Sequence, residues 1–364
     1  MASSNHLGTR VTVARKNAGL SPDELARAAA LSADEVRDIE EGRVRVGSVQ
    51  AVRLAKALSV SPGSFLHASI PAPLSQTAPL IFFRKHTVAD ASEADLSRLA
   101  AALQKAMNVV ALGRAPGYGT LPEVVVPTRP KPWQEGYDLA NQLRKHLARS
   151  GPLRNLRRTI EDQFGILVVD VPFDNEVQGA AARSGEARLI ALNRALEREP
   201  TLRFVLAHEL CHHLCDFTGD AVVSDSGLID ARFDANTPPA EQRANAFAAM
   251  LLAPEQFVRS LVGQPPIQST EKAREATLKV ATSAGLGYLA CAWHLKNLKY
   301  WDEQMVRSLD DFAPSMIQSA LEDPTTLNGL ERRVAHAVEN GRISEGRARE
   351  LLGGRWDDIA ALRR

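Results

Sequence analysis

Thr201-Leu-Arg-Phe-Val-Leu-Ala-His-Glu-Leu-Cys-His-His-Leu214 is the stretch from which the rest of the chain can be read. Its apolar residues Leu202, Val205, Leu206, Leu210 and Leu214 recur at helical spacing, and no Gly or Pro interrupts them, so it predicts a helix with an apolar inner face. Residues four apart on a helix share one face, about a turn from each other. His208 and His212 can therefore offer two imidazole nitrogens to one metal ion, with Glu209 beside them to handle a proton. Two ligands, a bound water of lowered pKa and a carboxylate base are the working parts of a zinc-dependent hydrolase. An H-E-x-x-H run also arises by accident, so a third ligand matters.

One candidate lies in Glu241-Gln-Arg-Ala-Asn245-Ala-Phe-Ala-Ala-Met-Leu-Leu-Ala-Pro254, a helix bordered by Pro238 and Pro239 before it and by Pro254 at its end. Glu241 would be the third ligand and a water the fourth, the open arrangement of a catalytic site. Asn245, one turn on, is placed to hold a ligating imidazole through its other nitrogen. The competing reading of Glu241 is a carboxylate that favours the positive end of its helix.

These two segments resemble the ImmA/IrrE-type metallopeptidases, which pair H-E-x-x-H with a later E-x-x-A-N-x-F-A-x-x-L-L-x-P helix. The second pattern is matched nearly throughout from Glu241 to Pro254, with Ala253 where Met is usual. Gly185-Glu-Ala-Arg-Leu-Ile-Ala-Leu-Asn193 looks like the strand that runs into the family's zinc helix, and the resemblance spans roughly residues 150 to 300. It implies that His208, His212 and Glu241 bind Zn²⁺ and that Glu209 is the general base. It further implies a protein substrate of the repressor or antitoxin-like kind, cleaved in a stress or phage-related response. The alternative is a non-catalytic regulator that uses the same fold as a sensor or scaffold, although an intact Glu209 favours the enzyme.

The 364 residues are 45% hydrophobic and 24% charged, with a formal net charge of +1, which suits a globular protein of two or three domains and gives no global drive toward nucleic acid or anionic membrane. With no long apolar run and no leader-like start, neither a membrane span nor a secretory signal is expected. Three cysteines (Cys211, Cys215 and Cys291) are too few for a disulfide scaffold, and the expected location is cytoplasmic.

The first 66 residues carry helix punctuation. A helix over Leu7–Ala18 ends at Gly19; Ser21 and Ser32 cap two more (Pro22–Ala30 and Ala33–Glu41), with Glu24 in the capping-box position. A fourth helix is read over Val49–Leu58 and a short fifth after Pro62. This unit resembles the Cro/C1-type (XRE) helix-turn-helix domain, through Gly19-Leu-Ser21, Leu25-Ala26, Leu31-Ser32, Ile39-Glu40-Glu41-Gly42 and Leu54-Ala-Lys-Ala-Leu-Ser-Val60, although Pro22 stands where the family usually has Gln. The resemblance implies DNA as a partner and the third helix as its reader. That helix is acidic, however, with Asp34, Glu35, Asp38, Glu40 and Glu41 against Arg37. Arg37, Arg43 and Arg45 are the expected DNA contacts, and Arg10, Arg15, Lys16 and Arg53 are further cations for phosphates. A degenerate helical domain kept for dimerisation is the competing reading, and a homodimer stays open under either.

The expected fold class is α+β, mostly α. A helix-turn-helix domain (1–66) and a Pro/Ala/Ser-rich linker (67–80) lead to a helical connecting region (81–150). A zincin-like metallopeptidase domain (151–305) of zinc helices and a small sheet follows, with strands at Gly165–Val171 and Leu189–Asn193. A helical C-terminal segment (306–364) reads as a packing or oligomerisation appendage. His213, His294 and the thiols Cys211 and Cys215 read as packed residues, although Cys211 could couple oxidation to the neighbouring ligand; Tyr288 and Arg183 are candidates to stabilise an oxyanion.

Overall fold

The computed structural model describes residues 4–17, 20–44, 46, 50, 53–54, 57–58, 80–85, 93–113, 119–148, 150–174, 177–195, 198–217, 226–228, 238–314, 317, 319–322 and 327–362. It divides into two units, Met1–Gln76 and Thr77–Arg364.

In the first unit, α1 (Ser4–Asn17), α2 (Pro22–Ala29) and α3 (Ala33–Glu40) follow the punctuation of the sequence. Ser21 and Ser32 each accept a hydrogen bond from a backbone N–H three residues on, and Glu24 and Glu35 return the bond to the cap residue's own N–H. Val11, Leu25, Ala26, Ala29, Val36, Ile39, Leu54 and Leu58 form the core. The reading of Gly19 as a stop lies outside the described residues, as do half of the fourth helix and all of the fifth.

Arg15 corrects an expectation. Its guanidinium is not offered to phosphate: it grips the Glu40 carboxylate through Nε at 2.6 Å and Nη2 at 2.9 Å, and donates to the Leu20 carbonyl. Both side chains of the pair are about nine-tenths buried, so the pair ties α1 to α3 and removes one acid from the exposed face of α3.

The second unit is a three-layer arrangement around one five-stranded sheet. Its strands are β1 (Leu80–Lys85), β2 (Leu167–Val171), β3 (Val177–Ser184), β4 (Ala187–Asn193) and β5 (Ser226–Leu228), in the order β2-β4-β3-β1-β5. β3 is antiparallel to β4 and β1; the pairs β2 with β4 and β1 with β5 are parallel. Its helices are α4 (Glu93–Val110), α5 (Pro132–His146), α6 (Leu156–Phe164), α7 (Glu199–Cys215), α8 (Pro239–Leu252), α9 (Glu255–Val262), α10 (Thr270–Ala284), α11 (Tyr288–Asn297), α12 (Glu303–Asp310), α13 (Gly329–Glu339), α14 (Glu345–Leu352) and α15 (Arg355–Leu362).

Strand side chains alternate between faces. Val168, Ile190 and Leu192 point to α5, α6, α7 and α8, while Leu167, Leu189 and Ala191 point to α4 and the C-terminal helices. Both faces of β4 are buried, so Leu189–Leu192 reads as a continuous apolar run, whereas β2 exposes Asp170.

Two expected boundaries change. The connecting region is not helical throughout, because β1 opens it, and residue 80, read as linker, already belongs to that strand. Of the two uses read for the C-terminal segment, packing is the one seen: Leu330, Val334, Leu351, Trp356 and Ile359 complete the core behind the sheet.

Replacing Arg15 by Met should lower the stability of the first unit by about 1.5–3 kcal/mol, since it strands a nearly buried carboxylate. The midpoint of that unit's urea transition measures it, and an unchanged midpoint would show that the pair contributes nothing.

Candidate metal centre

α7 is buried along nearly its whole circumference rather than on one inner face: residues 205 to 213 are all buried, between the sheet and α8. A helix apolar all round belongs inside. α8 crosses it closely because its own residues are small, with Ala244, Ala246, Ala248 and Ala249 all buried. On the far side of α8, Gly136 of α5 lies so near the Arg243 carbonyl that a Cβ there would collide with backbone. Arg144 of α5, itself buried, donates to the Leu251 and Gly151 carbonyls and holds the C-terminal end of α8.

This packing brings the first turn of α8 onto the histidine face of α7. His208 Nε2 and His212 Nε2 are 3.0 Å apart; Glu241 Oε2 lies 3.0 Å from the first and Oε1 lies 3.1 Å from the second. His208, Glu209, His212 and Glu241 are no more than 1% exposed. A tetrahedral ion with bonds of about 2.0–2.1 Å sets its ligand atoms roughly 3.3 Å apart, so the two imidazoles and one carboxylate fit a Zn²⁺ site with a position left over. Glu241 thus answers both descriptions made of it, standing in the first turn of its helix and facing both histidines.

Both imidazoles are oriented from behind. His208 Nδ1 is 3.0 Å from Asn245 Oδ1, as expected, and His212 Nδ1 is 2.8 Å from Asp216 Oδ2. With those Nδ1–H groups donating, each Nε2 lone pair points at the shared space. Asp216 is a residue the sequence reading missed, although its place four residues after His212 was a usable signal. Asp216 in turn accepts from Arg243, two residues after Glu241, and Arg243 also lies 3.4 Å from Glu135 of α5. Burial by itself disfavours charge on Glu241 and His212. Their mutual attraction outweighs it, holding Glu241 well below the carboxylate range and His212 well above the imidazole range.

Glu209 lies against β3: a Cβ on Gly179 would stand 3.5 Å from Glu209 Oε1 and 2.5 Å from Val205. Glycine at 179 is therefore what lets the strand pass over Val205 of α7, with the Glu209 carboxylate at ordinary contact distance beside it.

Other residues fall outside this group. His213 turns away to place Nε2 3.0 Å from the Leu189 carbonyl and stacks on Phe217; burial pushes its pKa down to about 3. Cys215 Sγ donates to the Cys211 carbonyl, and burial pushes the Cys211 thiol well up, which suits packing rather than redox reactivity. Arg183 is turned to the Gly185 and Phe217 carbonyls, and Tyr288 sits in the core. Arg37 pairs with Asp34 and Asp23, and Arg43 with Asp38 and Glu41, so the two described DNA-contact candidates are each engaged by acids. Arg45 lies outside the described residues. Among the described residues no helix is long and apolar enough to cross a membrane.

The fold and the site define a helix-turn-helix protein that continues into a metallopeptidase-type domain. Residues 6–65 match the family described as a helix-turn-helix domain, and residues 161–284 match Peptidase_M78, the IrrE N-terminal-like domain. Together the two matches fit the domain order of an ImmA/IrrE-type fusion. No curated protein matches it. Among solved structures it is similar over 18% of its length to the restriction-modification controller protein C.AhdI from Aeromonas hydrophila (31% identity, 98% of that chain, TM-score 0.18). A second similarity, also over 18%, is to the clp gene regulator ClgR from C. glutamicum (27% identity, 86% of that chain, TM-score 0.18).

His294 supplies a pH test away from the metal residues. It is wholly buried, bonded at Nδ1 to the Tyr137 hydroxyl (2.5 Å) and at Nε2 to the Ala253 carbonyl (2.7 Å); burial pushes its pKa down to about 4. The unfolded chain takes up this proton near pH 6.5 and the folded chain only near 4, so stability falls across that window as pH falls, by up to about 3 kcal/mol. His294→Gln should flatten this dependence in urea midpoints measured from pH 7 to 4. An unaltered slope would show that the imidazole is charged when folded.

Proposed function

We propose that the protein is a zinc-dependent endopeptidase joined to a DNA-binding unit. The observation that carries the reading is the convergence of His208, His212 and Glu241 to within 3.1 Å, with Glu209 beside them. Zn²⁺ held by these three residues would supply a Lewis acid for the scissile carbonyl and lower the pKa of a water toward 7. Glu209 takes a proton from the attacking water and delivers it to the departing amine nitrogen as the C–N bond breaks. Asn245 and Asp216 fix the two imidazoles, so the ligand nitrogens need no reorganisation. The substrate class that fits the family reading is a cytoplasmic repressor or antitoxin-like protein, cut in a stress or phage-related response.

A regulator that senses through the same fold is the second reading, and the complete burial of all four residues favours it. Metal content and catalysis separate the two. About one Zn²⁺ per chain is expected; His212→Ala should empty the site, and Asp216→Ala should weaken binding about 10–100-fold. Glu209→Gln should keep the metal and lose about 10²–10⁴-fold or more of the cleavage rate. Co-expression with neighbouring-gene products, followed by blotting for a fragment, reads this out. Identical fragments from wild type and Glu209→Gln would end the endopeptidase reading.

We infer that the first unit docks on DNA through α3 and does so weakly, because Arg37 and Arg43 are already held by acids. Retardation of the protein's own upstream DNA should appear at low salt and fall steeply as salt rises. Asp38→Asn/Glu41→Gln, which removes both acids that hold Arg43, should tighten binding on the order of five-fold, and Arg43→Ala should weaken it. No retardation by the full chain at low salt would leave this unit a protein-interaction module.

A further inference from the structure

We propose that the edge of β3 beside Glu209 is a docking edge for an extended peptide, and that Leu80–Lys85 fills it in cis as a built-in competitor. Its consequence for turnover rests on the hydrolytic reading of the metal centre.

β3 has two edges, one paired with β4 and the other with β1. The residue of β3 that lies over Glu209 is Gly179, and its partner across the ladder is Arg84. Arg84 is therefore the β1 residue across the ladder from the strand position that faces the carboxylate assigned as the base. The β1–β3 register also breaks between Arg84 and Lys85, next to that point. Such irregularities concentrate beside active sites, where they re-aim or end a ladder.

Two further features describe a covered site. β5, which comes from the chain between the two ligand-bearing helices, pairs in parallel with the outer side of β1, so the cover is two strands wide. α7 itself packs against β1 as well as against β3 and β4. His208, Glu209, His212 and Glu241 have 1% exposure or less, whereas hydrolysis needs a peptide carbonyl brought up to them. A strand edge binds an extended chain through main-chain hydrogen bonds and leaves specificity to alternate side chains. The cis occupant reads Leu-Ile-Phe-Phe-Arg-Lys, so the peptide class it imitates is an extended run of large apolar residues followed by two cations.

The test uses a fluorescent peptide containing Leu-Ile-Phe-Phe-Arg-Lys, titrated by anisotropy into zinc-loaded full-length Glu209→Gln and Glu209→Gln/Phe82→Pro. Proline in mid-strand removes a ladder donor and should release β1. The double variant should bind at least about ten-fold more tightly, because apparent affinity scales with the fraction of molecules whose edge is free. Equal affinities, with amide protection retained over 187–193, would overturn the proposal. If proline instead unfolds the domain, hydrogen exchange on the unsubstituted chain decides: saturating peptide should speed exchange over 80–85 and leave 187–193 protected, and no acceleration overturns it. Failure of Phe82→Pro with Glu209 intact to cut the bound peptide would count against the hydrolytic reading, while the difference in affinity would still support cis occupation.

Discussion

The structure of the second unit turns on one buried carboxylate held between two buried imidazoles. Glu241 has left water almost completely, which for an isolated carboxylate would cost several kcal/mol. What offsets that cost is the pair of contacts to His208 and His212, so the first turn of α8 has one acceptable landing place on α7. The alanines of α8, the bare backbone at Gly136 and the Arg144 clamp on the far end of the helix all serve that placement. The same contacts bring two imidazole nitrogens and one carboxylate to a single space, so the buried polar cluster and the candidate metal site are one feature.

The sheet is the platform for this crossing. Its alternating faces bury α7 and α8 on one side and α4 with the C-terminal helices on the other, so the sheet is held in place from both faces while the site helices pack on one. β3 shows the compromise most directly. Gly179 and Ala181 are small because α7 approaches there, while Ala180 and Ala182 face the opposite core. A strand made of such residues has little intrinsic preference for extension and depends on its neighbours in the ladder.

In the first unit the acidic residues of α2 and α3 have separate structural tasks. Glu24 and Glu35 close capping boxes, Glu40 holds Arg15, and Asp38 and Glu41 hold Arg43. A formal surplus of two cations over residues 1–66 therefore overstates what is available to phosphates. Charge counted along a sequence is not charge presented on a surface.

Much of this was legible in the residues themselves. Helical spacing and punctuation determined α2, α3, α7 and α8, because caps, prolines and i,i+4 faces act within one turn. The pair His208 and His212, their neighbour Glu209 and Asn245 behind His208 could be named from spacing and family pattern. What the sequence did not disclose depends on contacts between segments far apart in the chain. β1 was hidden in an apolar run beside a linker, and β3 in an alanine-rich stretch with no strand-forming pattern. The inward turn of Arg15, the grip of Arg243 on Asp216 and the burial of the C-terminal helices were equally out of reach. Sequence determined which local elements form and which chemistry they carry; tertiary packing alone decided which charges meet, because burial and partnership are properties of the assembled core.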